Sequence, residues 1–292
     1  MAVHVPDRFK VANAFWIGLA KIGLSPAAVL SQARLPLTVY DGNKNLVTTA
    51  QFFALWRAVG ELSADPAAGV KIATQIDVGD RPPSTMAAYY ARDYRDALTR
   101  LARFKQLCSP EELQIKVSKD ECVITPVWLH AQEETPPLLT DAAFVSFVEL
   151  GRRGTGHLVT AKKVELKRSA EATGFHKAYF KAPVTFGARR NALVLHATDL
   201  DRPFVTYNAE LLDMLNPQLE RALKERRAQS SISEQVKWIL KRLLAGSRPE
   251  IDVTEAAYLL GYEDANSFYR AFRTWEGTTP ARLRAALKTA DR

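Results

Sequence analysis

The hydrophobic period of this chain changes once, and that change limits what it can fold into. Up to about residue 200, helical spacing is interleaved with short β-branched runs, and from Asn208 onward every pattern is helical. Residues 8–35 read as a helix, a turn at Gly23–Pro26 and a second short helix. "VTTAQFFALWRAVGEL" (47–62) opens on a threonine cap and spaces Phe52, Phe53, Trp56 and Val59 for one helix face. Residues 65–76 form another short helix, and 82–107 hold two, broken near Asp93–Asp96. "LQIKV" (113–117) and "ECVITPVWL" (121–129) then read as a hairpin across "SKDE". A helix over 140–156 ends in a Gly-rich loop, and 162–168, 183–187 and 192–197 are further strands. In the helical remainder, Asn216–Pro217 reads as a cap followed by proline at a first helical position. The expected class is α+β: a mixed helix/sheet domain over 1–228, a polar hinge at "QSSISEQ", and a small all-α domain over 229–292.

Composition narrows the function. With 292 residues, 47% of them hydrophobic, the chain can bury a substantial core. The net charge is +8, and residues 221–292 alone carry fourteen Lys and Arg against nine Asp and Glu, or +5 of that excess. A basic end favours a polyanion such as nucleic acid or a membrane surface. Cys108 and Cys122 have no CxxC partner, which fits a reducing compartment. His4, His130, His157, His176 and His196 are scattered, with no pair at metal-ligand spacing, so no metal is expected. The N-terminus reads as an amphipathic helix rather than a signal peptide, and no run reaches membrane-spanning length, so the expected location is the cytoplasm.

No motif for catalysis emerges, and no cofactor is expected. "GRRGTG" (151–156) superficially matches a nucleotide-binding loop, but such a loop needs a strand before it and a helix after. Here a helix precedes and a strand follows, which makes it a helix C-terminal cap. There is no Walker-type lysine loop, no G-x-S-x-G elbow and no paired histidines on a helix, and Glu133–Glu134 lie in a polar loop.

The C-terminal stretch "IDVTEAAYLLGYEDANSFYRAFRTWEGTTPARLR" has the punctuation of a helix-turn-helix. Asp252 and Glu255 form a capping-box pair, Val253, Ala256, Ala257 and Leu260 face inward, and Gly261 supplies the turn. The second helix runs from about Asp264 to Trp275 with Phe268, Phe272 and Trp275 as its buried stripe. Asn266, Ser267, Tyr269, Arg270 and Arg273 occupy other faces, where side chains of a helix in a major groove meet bases. Thr279 caps a last helix that Pro280 opens, a phosphate-binding arrangement with Arg282 and Arg284 nearby.

The run "LLGYEDANSFYRAFRTWEGTTPARLR" resembles the second helix-turn-helix of AraC/XylS-type bacterial transcription regulators, with Gly261, Tyr262, Phe268, Arg270, Ala271, Phe272, Gly277, Pro280 and Arg284 in register. "FFALWRAVGELSADPAAGVKIA" and "PVTFGARRNALVLHATDLDRPF" resemble that family's non-cupin, arabinose-binding-like sensor domain. The pattern departs from the family at one place. After the opening helix "SISEQVKWILKRLLAGSRPEI", with its stripe Val236, Ile239, Leu240, Leu243 and Leu244, the chain moves directly to "DVTEAAYLLGY". The first unit's recognition helix and the linker helix are missing from it.

The resemblance implies a sequence-specific regulator that binds double-stranded DNA and responds to a small-molecule effector. Asn266, Ser267, Tyr269 and Arg270 would read bases, while Arg273, Thr278, Thr279, Arg282 and Arg284 would hold the backbone. One remaining unit makes few phosphate contacts, so tight binding calls for a homodimer on two half-sites. The Leu211–Leu223 segment is either a dimer helix or packs on its own domain. The effector's contacts are not legible, although Trp16, Trp56 and Trp128 are candidates for lining its pocket. The competing reading is a sensor or dimerisation protein that has lost independent DNA binding.

Overall fold

The computed structural model describes residues 6–41, 46–169, 174–228, 257–258, 264–276, 279–280 and 282; for 41, 227–228 and 274–276 it describes the backbone alone. The chain divides into two compact units, Asp7–Lys224 and Glu225–Arg292 with Met1–Pro6.

In the larger unit, side-chain caps set several helix starts. Ser25 Oγ accepts from Ala28 N at 3.1 Å and starts α2 (Pro26–Gln32), which follows α1 (Asn13–Lys21). The short α3 (Thr38–Asp41) follows. Thr48 and Gln51 form a reciprocal capping box at the head of α4 (Thr49–Ser63), which buries Phe53, Trp56 and Val59 as their spacing predicts. Then come α5 (Ala68–Gln75), α6 (Pro83–Tyr89) and α7 (Tyr94–Phe104), whose Asp93 cap accepts from Asp96 N at 2.8 Å.

The predicted hairpin is present as β1 (Glu111–Val117) and β2 (Glu121–Trp128), paired from Glu111↔Trp128 to Val117↔Cys122. With β3 (Ala161–Leu166), β4 (Val184–Phe186) and β5 (Ala192–His196) it makes one five-stranded sheet, in the order β1-β2-β5-β3-β4. All neighbours are antiparallel except β3 and β4. Between the hairpin and β3 lies α8 (Pro137–Thr155), and α9 (Phe175–Phe180) precedes β4.

α8 is the centre of the core. It buries residues on most of its circumference, Phe144, Val145 and Val148 completely. A helix apolar on nearly every side has to be covered on nearly every side, and α4, α5, α6 and α7 all pack on it. The Gly-rich stretch that ends it is helical through Thr155, and Gly156, at φ 69°, is the left-handed cap. Gly151 and Gly154 lie inside the helix because aromatic rings press on it. A Cβ would stand 2.7 Å from Tyr94 Cζ at position 151 and 2.3 Å from Phe204 Cε2 at position 154. The two arginines between those glycines are structural as well. Arg153 donates to Thr74 O and Ile76 O at 2.7 and 2.9 Å, closing the C-terminal end of α5. Arg152 donates to Val159 O at 2.8 Å.

One expected helix boundary is corrected. α10 (Ala209–Ala228) runs through Asn216–Pro217 without a break, and its cap is Asn208, whose Oδ1 accepts from Leu211 N at 2.9 Å. Asn216 is not a cap because its Oδ1 accepts from Arg100 Nη1 at 2.8 Å. Leu212 before the proline and Leu219 and Leu223 after it are buried with Ala87 and Phe104. That burial on both sides of the ring offsets the missing N–H. The leucine face of α10 therefore packs on its own domain.

Candidate nucleic-acid interface and sensor cavity

In the smaller unit, α11 (Ala265–Glu276) is the predicted second helix of the helix-turn-helix. Asp264 starts it, its Oδ1 accepting from Ser267 N at 2.8 Å and its Oδ2 from Ser267 Oγ at 2.6 Å. Those two hydrogen bonds, with the Arg270 charge adding to them, hold the Asp264 carboxyl below its ordinary pKa. Phe268 and Phe272 are fully buried, rings 5.6 Å apart, and Ala257 is buried as expected. Asn266, Arg270 and Arg273 fall at i, i+4 and i+7 and are exposed, which puts them on one stripe turned away from the phenylalanines. Ser267 and Tyr269 are half-buried beside that stripe. The serine is committed at its hydroxyl to Asp264, leaving its oxygen as an acceptor.

The turn after α11 has the predicted chemistry. Thr279 Oγ1 accepts from Arg282 N at 3.3 Å, Pro280 is buried and Arg282 is exposed. Thr278, Arg284, the Gly261 turn with Tyr262, the Asp252 capping pair and the stripe from Val236 to Leu244 lie outside the described residues, as does the Trp275 side chain. Sequence reasoning did not single out Asp264 as the cap. An Asp immediately before the apolar period is the signal that marks it.

The larger unit contains a cavity of about 220 Å³. Its wall is mostly aromatic and aliphatic, with Phe9, Phe15, Phe52, Trp56, Trp128 and Phe147 among the lining residues. Of the three tryptophans considered from sequence, two thus converge. Trp16 lies elsewhere, edge-on to Phe15 and Tyr40. A few polar groups join the wall. Lys105 and Glu111 pair at 2.8 Å, with Ser109 Oγ 3.4 Å from the same carboxylate oxygen. Burial opposes the Lys105 charge, but Glu111 outweighs it and holds the ammonium above its ordinary pKa. Arg81 and Tyr89 also line the cavity, with the guanidinium 5.3 Å from the ring centroid. Sequence carried no signal for either. Among the described residues, no three His, Cys, Asp or Glu side chains converge as metal ligands would. Nor is any single helix there long and apolar enough to cross a membrane.

The family described as the arabinose-binding domain of AraC transcription regulator, N-terminal, matches residues 23–204, and a helix-turn-helix domain family matches residues 209–286. No curated protein matches the chain. Among solved structures, the crystal structure of the transcriptional regulator CdpR from Pseudomonas aeruginosa is similar at 16% identity, covering 93% of this chain and 98% of that one, with a TM-score of 0.49. With the first family spanning more than half of its length and a helix-turn-helix following directly, the chain belongs to the AraC transcription regulators that carry the arabinose-binding N-terminal domain, and it is a ligand-responsive DNA-binding regulator.

Proposed function

We propose that this regulator reads double-stranded DNA through the exposed stripe of α11 and the Thr279 turn, while its effector occupies the 220 Å³ cavity of the larger unit. The observation that carries the DNA reading is the two-faced helix: Phe268 and Phe272 fully buried, Asn266, Arg270 and Arg273 exposed together. A capped helix with one side locked in a core presents the other at fixed register, which base reading requires. Asn266 and Arg270 suit adenine and guanine edges, and Ser267 and Tyr269 lie next to them. Arg273, Arg282 and the capped turn at Thr279, with Thr278 and Arg284 beside it in sequence, suit phosphates.

An effector controls such a unit by binding two arrangements of the protein with different affinity. Two copies on adjacent half-sites would supply the phosphate contacts that a single unit lacks. The test is a salt titration of binding to a duplex from upstream of the protein's own gene, against a scrambled duplex of equal length. Tighter binding to the native duplex with a steep negative slope in log salt supports the reading. Weak, equal binding to both duplexes would favour a sensor that has lost independent DNA recognition.

A further inference from the structure

We infer that the cavity binds a small monoanion with an apolar body, its carboxylate taken by Arg81, Tyr89 and Trp56. This rests on the proposal that the cavity is the effector site, and it names the class of effector.

The first argument is an imbalance of hydrogen-bonding groups. Trp56 Nε1, Arg81 Nε and Tyr89 OH are buried atoms without a hydrogen-bond partner, on residues 4%, 9% and 2% exposed. All three residues line this one cavity. Indole and guanidinium nitrogens only donate, and a phenol can donate. What these three groups lack is an acceptor, and three unpartnered donors on the wall of one cavity, two of them on side chains in contact, suit a group with several lone pairs. Leaving such donors unpaired is unfavourable, so the site gains from a ligand that supplies them.

The second argument is charge. The Lys105 ammonium is matched by Glu111. Arg81 donates from Nη2 to Ala73 O at 3.3 Å, and among the described residues it has no ion pair. Glu149, whose field reaches Arg81, is committed to Arg152 at 3.1 Å, Arg153 at 3.5 Å and the Tyr179 hydroxyl at 2.7 Å. Burial pulls the Arg81 pKa down and pushes that of Tyr89 up, yet a guanidinium remains charged in proteins. The wall thus holds a buried cation, Arg81, that no ion pair among the described residues matches, beside a phenol able to donate, while Lys10 on the same wall is exposed. A carboxylate answers both arguments, because charge-assisted bonds to arginine are the strong ones.

The third argument concerns the rest of the ligand. Phe9, Phe15 and Phe52 offer no hydrogen-bond partners, and Lys105, Ser109 and Glu111 are engaged with one another, so the larger part of the wall suits an apolar body better than a ring of hydroxyls. At about 220 Å³ the cavity exceeds the roughly 150 Å³ that accommodates a benzene ring. That is room for a ring or a short chain with a head group.

The experiment titrates the full chain with octanoate and 3-phenylpropanoate, each against its own primary amide, and with 1-octanol and L-arabinose, following tryptophan fluorescence and calorimetry. The expected result is binding of at least one carboxylate tenfold or more tighter than its amide. Arg81→Gln should abolish that preference. Because Arg81→Gln also loses the contact to Ala73, Tyr89→Phe serves as the second variant. It removes a hydroxyl that bonds nothing, so it should weaken carboxylate binding several-fold with the ligand-free melting temperature unchanged. Equal binding of acids and amides, or binding only of L-arabinose or 1-octanol, overturns the anion assignment while leaving the cavity a sensor site. No binding of any of these compounds overturns the assignment and the sensor reading of the cavity together, and leaves duplex binding to stand on its own titration.

Discussion

Ser267 donates to both carboxylate oxygens of Asp264, its N–H to one at 2.8 Å and its hydroxyl to the other at 2.6 Å. The pair ties the first turn of α11 to its cap just ahead of the exposed stripe. Because the folded-state pKa of Asp264 is depressed, its contribution is complete above the ordinary carboxylate value of about 3.9 and is lost as the pH falls through the folded value. Asp264→Ala should therefore speed amide hydrogen exchange across 265–273 at pH 7 and weaken duplex binding. Exchange in that segment unchanged by the substitution would show that the cap does not hold the helix.

Arg270 and Arg273 share a stripe but should fail differently. A guanidinium bidentate on a guanine edge contributes discrimination of about 1–3 kcal/mol. Arg270→Ala should weaken the specific duplex by that much and relax one base position. Arg273→Ala should weaken all duplexes alike and reduce the salt slope by about 1. Equal losses for Arg270→Ala on specific and scrambled duplexes would assign both arginines to the backbone.

Two glycines on neighbouring helices should respond with opposite signs. A Cβ on Gly60 meets only Leu138 Cδ1, at 3.5 Å, an ordinary contact. Gly60→Ala should be neutral or raise stability, since alanine is favoured over glycine inside a helix by up to about 1 kcal/mol. A Cβ on Gly69 would stand 2.3 Å from Leu138 O, so α5 and α8 would have to separate. Gly69→Ala should destabilise by about 1–3 kcal/mol or more, as overpacking does. Thermal midpoints of the two full-length variants moving in the same direction would refute this account of the α5–α8 contact.

The sequence was legible where local rules decide the outcome. The hairpin across "SKDE", the broken helix pair before it and the Phe268–Phe272 stripe follow from period and turn chemistry, and all are present. It misled where tertiary contacts override the local signal. Asn216–Pro217 has the grammar of a helix start, but Arg100 takes the asparagine and leucine burial carries α10 past the proline. "GRRGTG" is legible as a helix C-terminal cap, which Gly156 is, but not the reason for Gly151 and Gly154, which make room for Tyr94 and Phe204. The cavity could not be read at all. Its wall draws on segments from Phe9 to Leu150, and nothing about Arg81 in sequence shows that it will meet Tyr89 and share a cavity wall with Trp56. Convergence of that kind belongs to the fold and not to any window of residues.

The two cysteines provide a chemical readout of the cavity. Cys122 is fully buried on β2, and burial pushes its thiol up to about 11 against a smaller opposing effect of Arg95. At pH 8 that leaves about a thousandth of it as thiolate, the form that reacts. Cys108 is partly exposed, lies 3.0 Å from Ser84 Oγ and lines the cavity. Native protein treated with iodoacetamide at pH 8 should therefore be modified at Cys108 and spared at Cys122, with both modified in denaturant, as peptide mass spectrometry can quantify. A compound seated in the cavity should slow the Cys108 reaction and leave the denatured rate unchanged, because an occupant blocks access without altering the thiol's own chemistry. Equal native rates at the two cysteines would mean that the β2 side of the core opens on the timescale of labelling. A Cys108 rate indifferent to every bound compound would place those compounds outside this cavity.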